Sequence, residues 1–127
     1  MKVAEIMTPN PHYLREHDSI KKATQMFVDY KVDGAPVLDE KNQIIGLVGK
    51  ANLYRAIVND YDTNAPIKEI MTRNIKTVDV NESVYDVMNY PYSRLPVLDN
   101  GKMVGIVTRT DLNSFYICLY SSKSNQL

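Results

Sequence analysis

The chain has one cysteine, Cys118, and two histidines, His12 and His17, among its 127 residues. A single thiol excludes an intrachain disulfide, and three such residues scattered this way give no metal-ligand spacing. Charge of one sign is lacking as well. Fifteen Lys+Arg stand against fifteen Asp+Glu, so no basic excess draws the chain to nucleic acid or to an anionic membrane surface. Any anion site has to be local. The apolar run Ile44 to Val48 is interrupted by glycine and followed by charge, far short of the ~20 residues that a membrane span needs. The N-terminal "MKVAEIMTPNP" carries one lysine and no apolar core of signal-peptide length, which makes the cytoplasm the expected location. Also absent are a glycine-rich phosphate loop, a metal cluster and a base paired with a nucleophile, so no enzyme is expected. Cys118 is expected to be a small buried apolar group.

What is present is written twice. "EIMT" occurs at Glu5 to Thr8 and at Glu69 to Thr72, and Asp18-Ser19 lines up with Glu82-Ser83 at the same offset. "APVLD" (Ala35 to Asp39) matches "LPVLD" (Leu95 to Asp99), and "GLVGKANL" (Gly46 to Leu53) matches "GIVTRTDL" (Gly105 to Leu112). The second copy is shorter before its strand, at "NYPYSR", where Pro91 ends a helix at or before Tyr90. A chain 44% hydrophobic and 24% charged with an internal repeat reads as two small fused halves.

The periods give the elements. Ser19 caps a helix with Ile20, Ala23, Phe27 and Tyr30 on its core face, and Glu82 to Asn89 repeats it with Val84, Val87 and Met88. "PVLD" and "IIGLVG" form a hairpin of buried strands, and the second copy closes its hairpin with "DNG", Asp99 to Gly101. Further helices run from Ala51 to about Val58 and from Thr110 to about Tyr120. The divisions expected are a first repeat at 1–58, a polar linker at 59–65, a second repeat at 66–120 and a disordered tail at 121–127. Each repeat is an α/β (α+β) unit, a helix, a short strand, a helix, two strands and a helix. Neither repeat alone is expected to bury all its apolar faces.

These motifs together, "EIMTPNP", "GAPVLD" and "IIGLVGKANL", repeated as "EIMTRN", "SRLPVLD" and "MVGIVTRTDL", resemble a tandem pair of CBS (cystathionine beta-synthase) domains from about Val3 to about Leu119. The resemblance implies two repeats related by a pseudo-twofold axis, each a small three-stranded sheet with helices packed on it, with clefts where the sheets meet. It also implies adenosine-containing ligands such as AMP, ADP, ATP, S-adenosylmethionine or cyclic dinucleotides as regulatory molecules rather than required cofactors, and a homodimer shaped as a flat disc. Family members occur fused to transporters, metabolic enzymes, kinases and transcriptional regulators, so an attached or partner effector is expected.

Thr108-x-x-Asp111 follows an apolar strand and starts a helix. A carboxylate there can accept both hydroxyl protons of a ribose, while the helix start favours a phosphate. The same spacing is also a capping box, which needs no ligand. From spacing alone the cap is preferred; the match to the family's ribose-binding Thr and Asp reverses that preference. In the first copy Gly49 and Asn52 replace the pair, so one better site and one degenerate site are expected. By resemblance the main site comprises Thr108, Arg109 and Asp111, closed by Thr8, Asn10 and His12 and by Val32, Asp33, Gly34, Ala35 and Pro36. The degenerate site comprises Lys50 and Asn52, closed by Thr72, Asn74 and Ile75 and by Ser93, Arg94, Leu95 and Pro96. Arg94 sits where the family often has a basic phosphate contact. Lys50 and Arg109 suit either an anion or a solvated first turn. Asp33 would repel a phosphate, which keeps a nucleoside or S-adenosylmethionine as open as ATP.

His12 reads as a surface or packed residue rather than a catalyst. Of the nine tyrosines, Tyr116 and Tyr120 lie four apart on the last helix and suit core or interface. Leu53, Tyr54, Ile57, Leu112, Phe115 and Leu119 suit a dimer interface. The function expected is a regulatory ligand sensor; a ligand-free dimerisation module is the alternative.

Overall fold

The structure, a computed structural model, describes residues 1–124. Its elements are β1 (Thr8–Pro9), β2 (Leu14–Arg15), α1 (Ile20–Tyr30), β3 (Gly34–Leu38), β4 (Ile44–Gly49), α2 (Lys50–Val58), β5 (Val78–Asp79), α3 (Val84–Val87), β6 (Arg94–Asp99), β7 (Lys102–Thr108) and α4 (Arg109–Ser124), with 3₁₀ turns at Val3–Glu5 and Ile67–Glu69. They form a mixed α/β fold with two small sheets, ordered β2-β3-β4 and β1-β7-β6-β5.

The compact units are not the sequence repeats. One unit is residues 11–75; the other joins 1–10 to 76–127. Each therefore takes the "EIMT" segment of the opposite copy. In the 11–75 unit Ile67 N–H donates to Asp18 O at 2.7 Å and Lys68 N–H to Glu16 O at 3.0 Å. In the other unit Val3 N–H donates to Glu82 O at 2.9 Å and Ala4 N–H to Val80 O at 3.1 Å. The cores follow the same exchange. Leu14, Ile20, Ala23, Phe27, Val37 and Val48 pack with Ile67 and Met71, whereas Val78, Val84, Val87, Val97, Val107 and Phe115 pack with Val3.

Local chemistry explains the element ends. Ser19 Oγ accepts Lys22 N–H at 3.0 Å and starts α1, as an N-cap hydroxyl should; Lys31, at φ 54, ends it in the left-handed conformation. In the second copy α3 is only four residues long, because the shortened sequence before Pro91 leaves no room for the three turns of α1. Asn100 and Gly101 both have positive φ, 52 and 80, the backbone that closes a two-residue hairpin between Asp99 and Lys102.

Several expectations are corrected. The sheet of the 1–10/76–127 unit has four strands, since β1 pairs antiparallel with β7, Thr8 opposite Ile106. Its counterpart in the other unit is a single bridge, Leu47 to Thr72. Cys118 is exposed, because it falls on the outer side of α4, between buried Phe115 and half-buried Leu119. Tyr30 is exposed rather than core; its ring stacks on His12 at 3.8 Å between centroids. Leu112 and Phe115 are buried in the core of their own unit, so they have no surface left for a dimer contact. The last helix runs on to Ser124, through the first four residues of the expected tail; the rest of that tail lies outside the described residues.

Candidate functional site

The start of α4 is built on β7, whose last residue, Thr108, lies opposite Arg94 of β6. Thr108 N–H donates to Asp111 Oδ2 at 2.9 Å, and Asp111 N–H donates to Thr108 Oγ1 at 3.3 Å. The capping box is thus formed, with an aspartate as its acid. The carboxylate does more than cap. Thr108 Oγ1 also lies 3.1 Å from Oδ2, and the Thr8 hydroxyl approaches Oδ1 at 3.2 Å and Oδ2 at 3.3 Å. Pairing of β1 with β7 brings Thr8 there. Thr108 and Asp111 are half-buried, while Thr8 and Arg109 are exposed.

Among the described residues Oδ2 receives three donors and Oδ1 only a share of the Thr8 proton. A carboxylate offers about four lone-pair positions and no proton, so Oδ1 retains acceptor capacity at a partly open helix start.

The corresponding point of the other unit is arranged differently. Gly49, with no side chain, precedes α2, and Asn52 Oδ1 accepts its N–H at 2.8 Å. Asn52 Nδ2 donates to Ile70 O at 2.7 Å and to Thr72 Oγ1 at 3.1 Å. Asn52 is 7% exposed and is the buried polar residue of this core.

Of the residues expected at the main site, Thr8, Asn10, Thr108, Arg109 and Asp111 fall in one unit, where Asn10 N–H donates to Val104 O at 3.3 Å. His12, Val32, Asp33, Gly34, Ala35 and Pro36 belong to the other. There Gly34 lies opposite Gly49, and Asp33 O accepts Lys50 N–H at 3.3 Å. Of those expected at the degenerate site, Lys50, Asn52, Thr72, Asn74 and Ile75 share the 11–75 unit, and only Thr72 is hydrogen-bonded to Asn52. Ser93, Arg94, Leu95 and Pro96 run along β6 and its approach, with Arg94 and Leu95 beside Thr108 and Val107. In register, therefore, each helix start has the hairpin strand of its own repeat as neighbour.

Two glycines escaped the sequence reading. A Cβ on Gly105 would stand 2.5 Å from Met7 Sδ and 3.0 Å from Thr8 O; on Gly46 it would stand 2.7 Å from Met71 Sδ and 2.9 Å from Thr72 O. Their lack of a side chain is what lets each Met-Thr segment lie against the strand before the helix start. The repeated glycine beside the repeated "MT" was the available signal.

The CBS domain family pattern matches residues 3–59 and again 67–117. An uncharacterized protein of Methanocaldococcus jannaschii is 34% identical over 113 residues, 86% of this chain and 40% of its own length. The chain thus spans less than half of that curated relative. Among solved structures, CBSX2 in complex with AMP matches with a TM-score of 0.81 at 26% identity, over 94% of this chain and 98% of that one. A CBS domain pair in complex with 5′-methylthioadenosine and S-adenosyl-L-methionine matches with a TM-score of 0.80 at 27% identity, over 91% and 95%.

Proposed function

The chain belongs to the CBS domain family, and from that premise we infer that it is a non-catalytic regulatory module that senses an adenosine-containing ligand at the start of α4. The observation that carries this reading is Asp111: a half-buried, acceptor-only carboxylate between two threonine hydroxyls, with Oδ1 under-used. A ribose presents two adjacent hydroxyl donors, which such a group can accept together. The amides of the first turn of a 16-residue helix and the exposed Arg109 suit an anionic or polar 5′ substituent. Bound AMP, 5′-methylthioadenosine and S-adenosylmethionine in the two solved structures above support adenosine as the common element. Such a ligand controls an attached or partner effector by favouring one of two arrangements, and only to the extent of its differential affinity for them.

The test is calorimetric titration with AMP, ATP, S-adenosylmethionine and a cyclic di-adenosine nucleotide. Saturable binding near one ligand per chain is expected, with stabilisation of about 2.7 kcal/mol at a hundred times the dissociation constant. Silence from all four would overturn the reading.

A dimerisation role has its own observation. On α2, Tyr54, Ile57 and Val58 are 69%, 73% and 59% exposed; on α4, Ile117 and Tyr120 are 67% and 79% exposed. Apolar side chains left in water on the outer side of a helix suit a second copy of the chain. We propose that a homodimer forms through these helices, with or without ligand; sedimentation equilibrium tests it.

A further inference from the structure

We propose that Asn52 closes the start of α2 to a ligand carrying adjacent hydroxyls, by spending its own two amide protons on the surrounding protein, so that binding is confined to the Asp111 helix start. The inference rests on the adenosine reading above and states which helix start that reading applies to.

Asn52 has one accepting oxygen and two donor hydrogens, and the structure gives each a partner, leaving only the second lone pair of Oδ1. Gly49 N–H reaches Oδ1 at 2.8 Å, while Nδ2 gives its protons to Ile70 O at 2.7 Å and Thr72 Oγ1 at 3.1 Å. The group is 7% exposed, and among the described residues no buried side-chain nitrogen or oxygen lacks a partner. Beyond the second lone pair of Oδ1, an incoming pair of hydroxyls finds no acceptor on this side chain without displacing the Gly49 amide, whereas Asp111 offers two accepting oxygens. Prising Nδ2 away would leave the oxygen of half-buried Ile70 without its donor.

Asp111, at the equivalent position, inverts this arrangement. It has no proton to give to Ile6 O, the counterpart of Ile70 O, and it collects protons from Thr8 and Thr108 instead. Both Met-Thr segments approach a glycine strand equally closely, at Gly46 and Gly105. That close approach therefore does not separate the two helix starts; the count of protons on one side chain does, together with the deeper burial of Asn52. The amide acts as an internal occupant, taking for protein carbonyl and hydroxyl the position that a diol takes on the carboxylate.

The experiment uses the intact chain, with adenosine and AMP as probes, and reads two quantities. The first is independent of ligand: hydrogen exchange of the Asn52 side-chain amide by NMR, expected to be slowed at least about tenfold relative to exposed Asn74. Exchange as fast as that of Asn74 overturns the proposal. The second is stoichiometry. Wild type is expected to bind one probe per chain and Asn52→Asp two. One site in both, with Asn52→Asp folded, overturns the proposal and leaves the adenosine reading intact; no binding by wild type overturns both. Should Asn52→Asp not fold, Asp111→Asn decides, because the chain already accommodates an asparagine at the equivalent point. It is expected to lose affinity by about 10- to 150-fold, the loss of a hydrogen bond to charge, and to show a second protected side-chain amide. Lost affinity without that protected amide overturns the proposal, since removal of charge alone explains the loss.

Discussion

Thr8 Oγ1 lies 3.2 and 3.3 Å from the two carboxylate oxygens of Asp111, 103 residues further along the chain. Its counterpart, Thr72 Oγ1, accepts from Asn52 Nδ2 at 3.1 Å, 20 residues away. The same repeated threonine is a donor in one unit and an acceptor in the other, because its partner has changed from carboxylate to amide.

That inversion sets the cost of losing each hydroxyl. Thr8→Val removes a donor from a carboxylate that keeps the Thr108 amide and hydroxyl, so a loss of about 0.5–1.5 kcal/mol is expected. Thr72→Val strands an N–H of buried Asn52, and about 1–3 kcal/mol is expected. Urea unfolding of the two variants checks the order; an equal or reversed cost would mean that the buried amide finds another acceptor.

Gly105→Ala and Gly46→Ala are each expected to cost about 1–3 kcal/mol, the usual range for forcing extra volume into a packed contact. A backbone oxygen stands 2.9–3.0 Å from each new Cβ, and it cannot swing aside as a methionine end can. Met7→Ala in the Gly105→Ala background should recover part of the loss but not all. Thermal unfolding of the four chains reads this directly.

Lys31→Gly should raise stability by about 0.5–1 kcal/mol. Lysine here holds φ 54 at the end of α1, a conformation that costs a non-glycine residue about 1–2 kcal/mol, offset in part by the greater chain entropy that glycine loses. A destabilised variant would show that the Lys31 side chain makes a contact worth more than its strain.

The outer and inner sides of α4 should respond in opposite ways. Phe115→Ala, in the core of its unit, is expected to cost about 3–5 kcal/mol. Ile117→Glu, at a position 67% exposed, should change monomer stability by less than about 0.5 kcal/mol and abolish self-association in sedimentation equilibrium. Unaltered association would move the dimer contact off α4.

Much of this was legible in the chain. The offset between the two "EIMT" segments, the helical period from Ile20 to Phe27 and the Asn-Gly turn are local patterns, and local patterns fix elements. The Thr108/Asp111 pair was visible too, as both a cap and a ribose acceptor, and the structure forms the cap while leaving Oδ1 capacity to spare. Burial at single positions was less legible. Tyr30 and Cys118 continue an apolar pattern yet lie in solvent, because hydrophobic spacing says which side of a helix is apolar but not how far the core extends beneath it.

What the sequence alone determined is the repeat, the order of elements in each copy, and the two differences, Thr108 for Gly49 and Asp111 for Asn52, that make the helix starts chemically unequal. What only the tertiary structure decided is the exchange of segments, which places Val3 and Thr8 with residues 76–127, and Ile67 and Thr72 with residues 11–75. Two near-identical segments and two near-identical strands could pair in either combination with the same local chemistry. The pairing found is the one that packs Ile67 with Ile20 and Phe27 and packs Val3 with Val84 and Val87, contacts between residues far apart in the chain that no local pattern records.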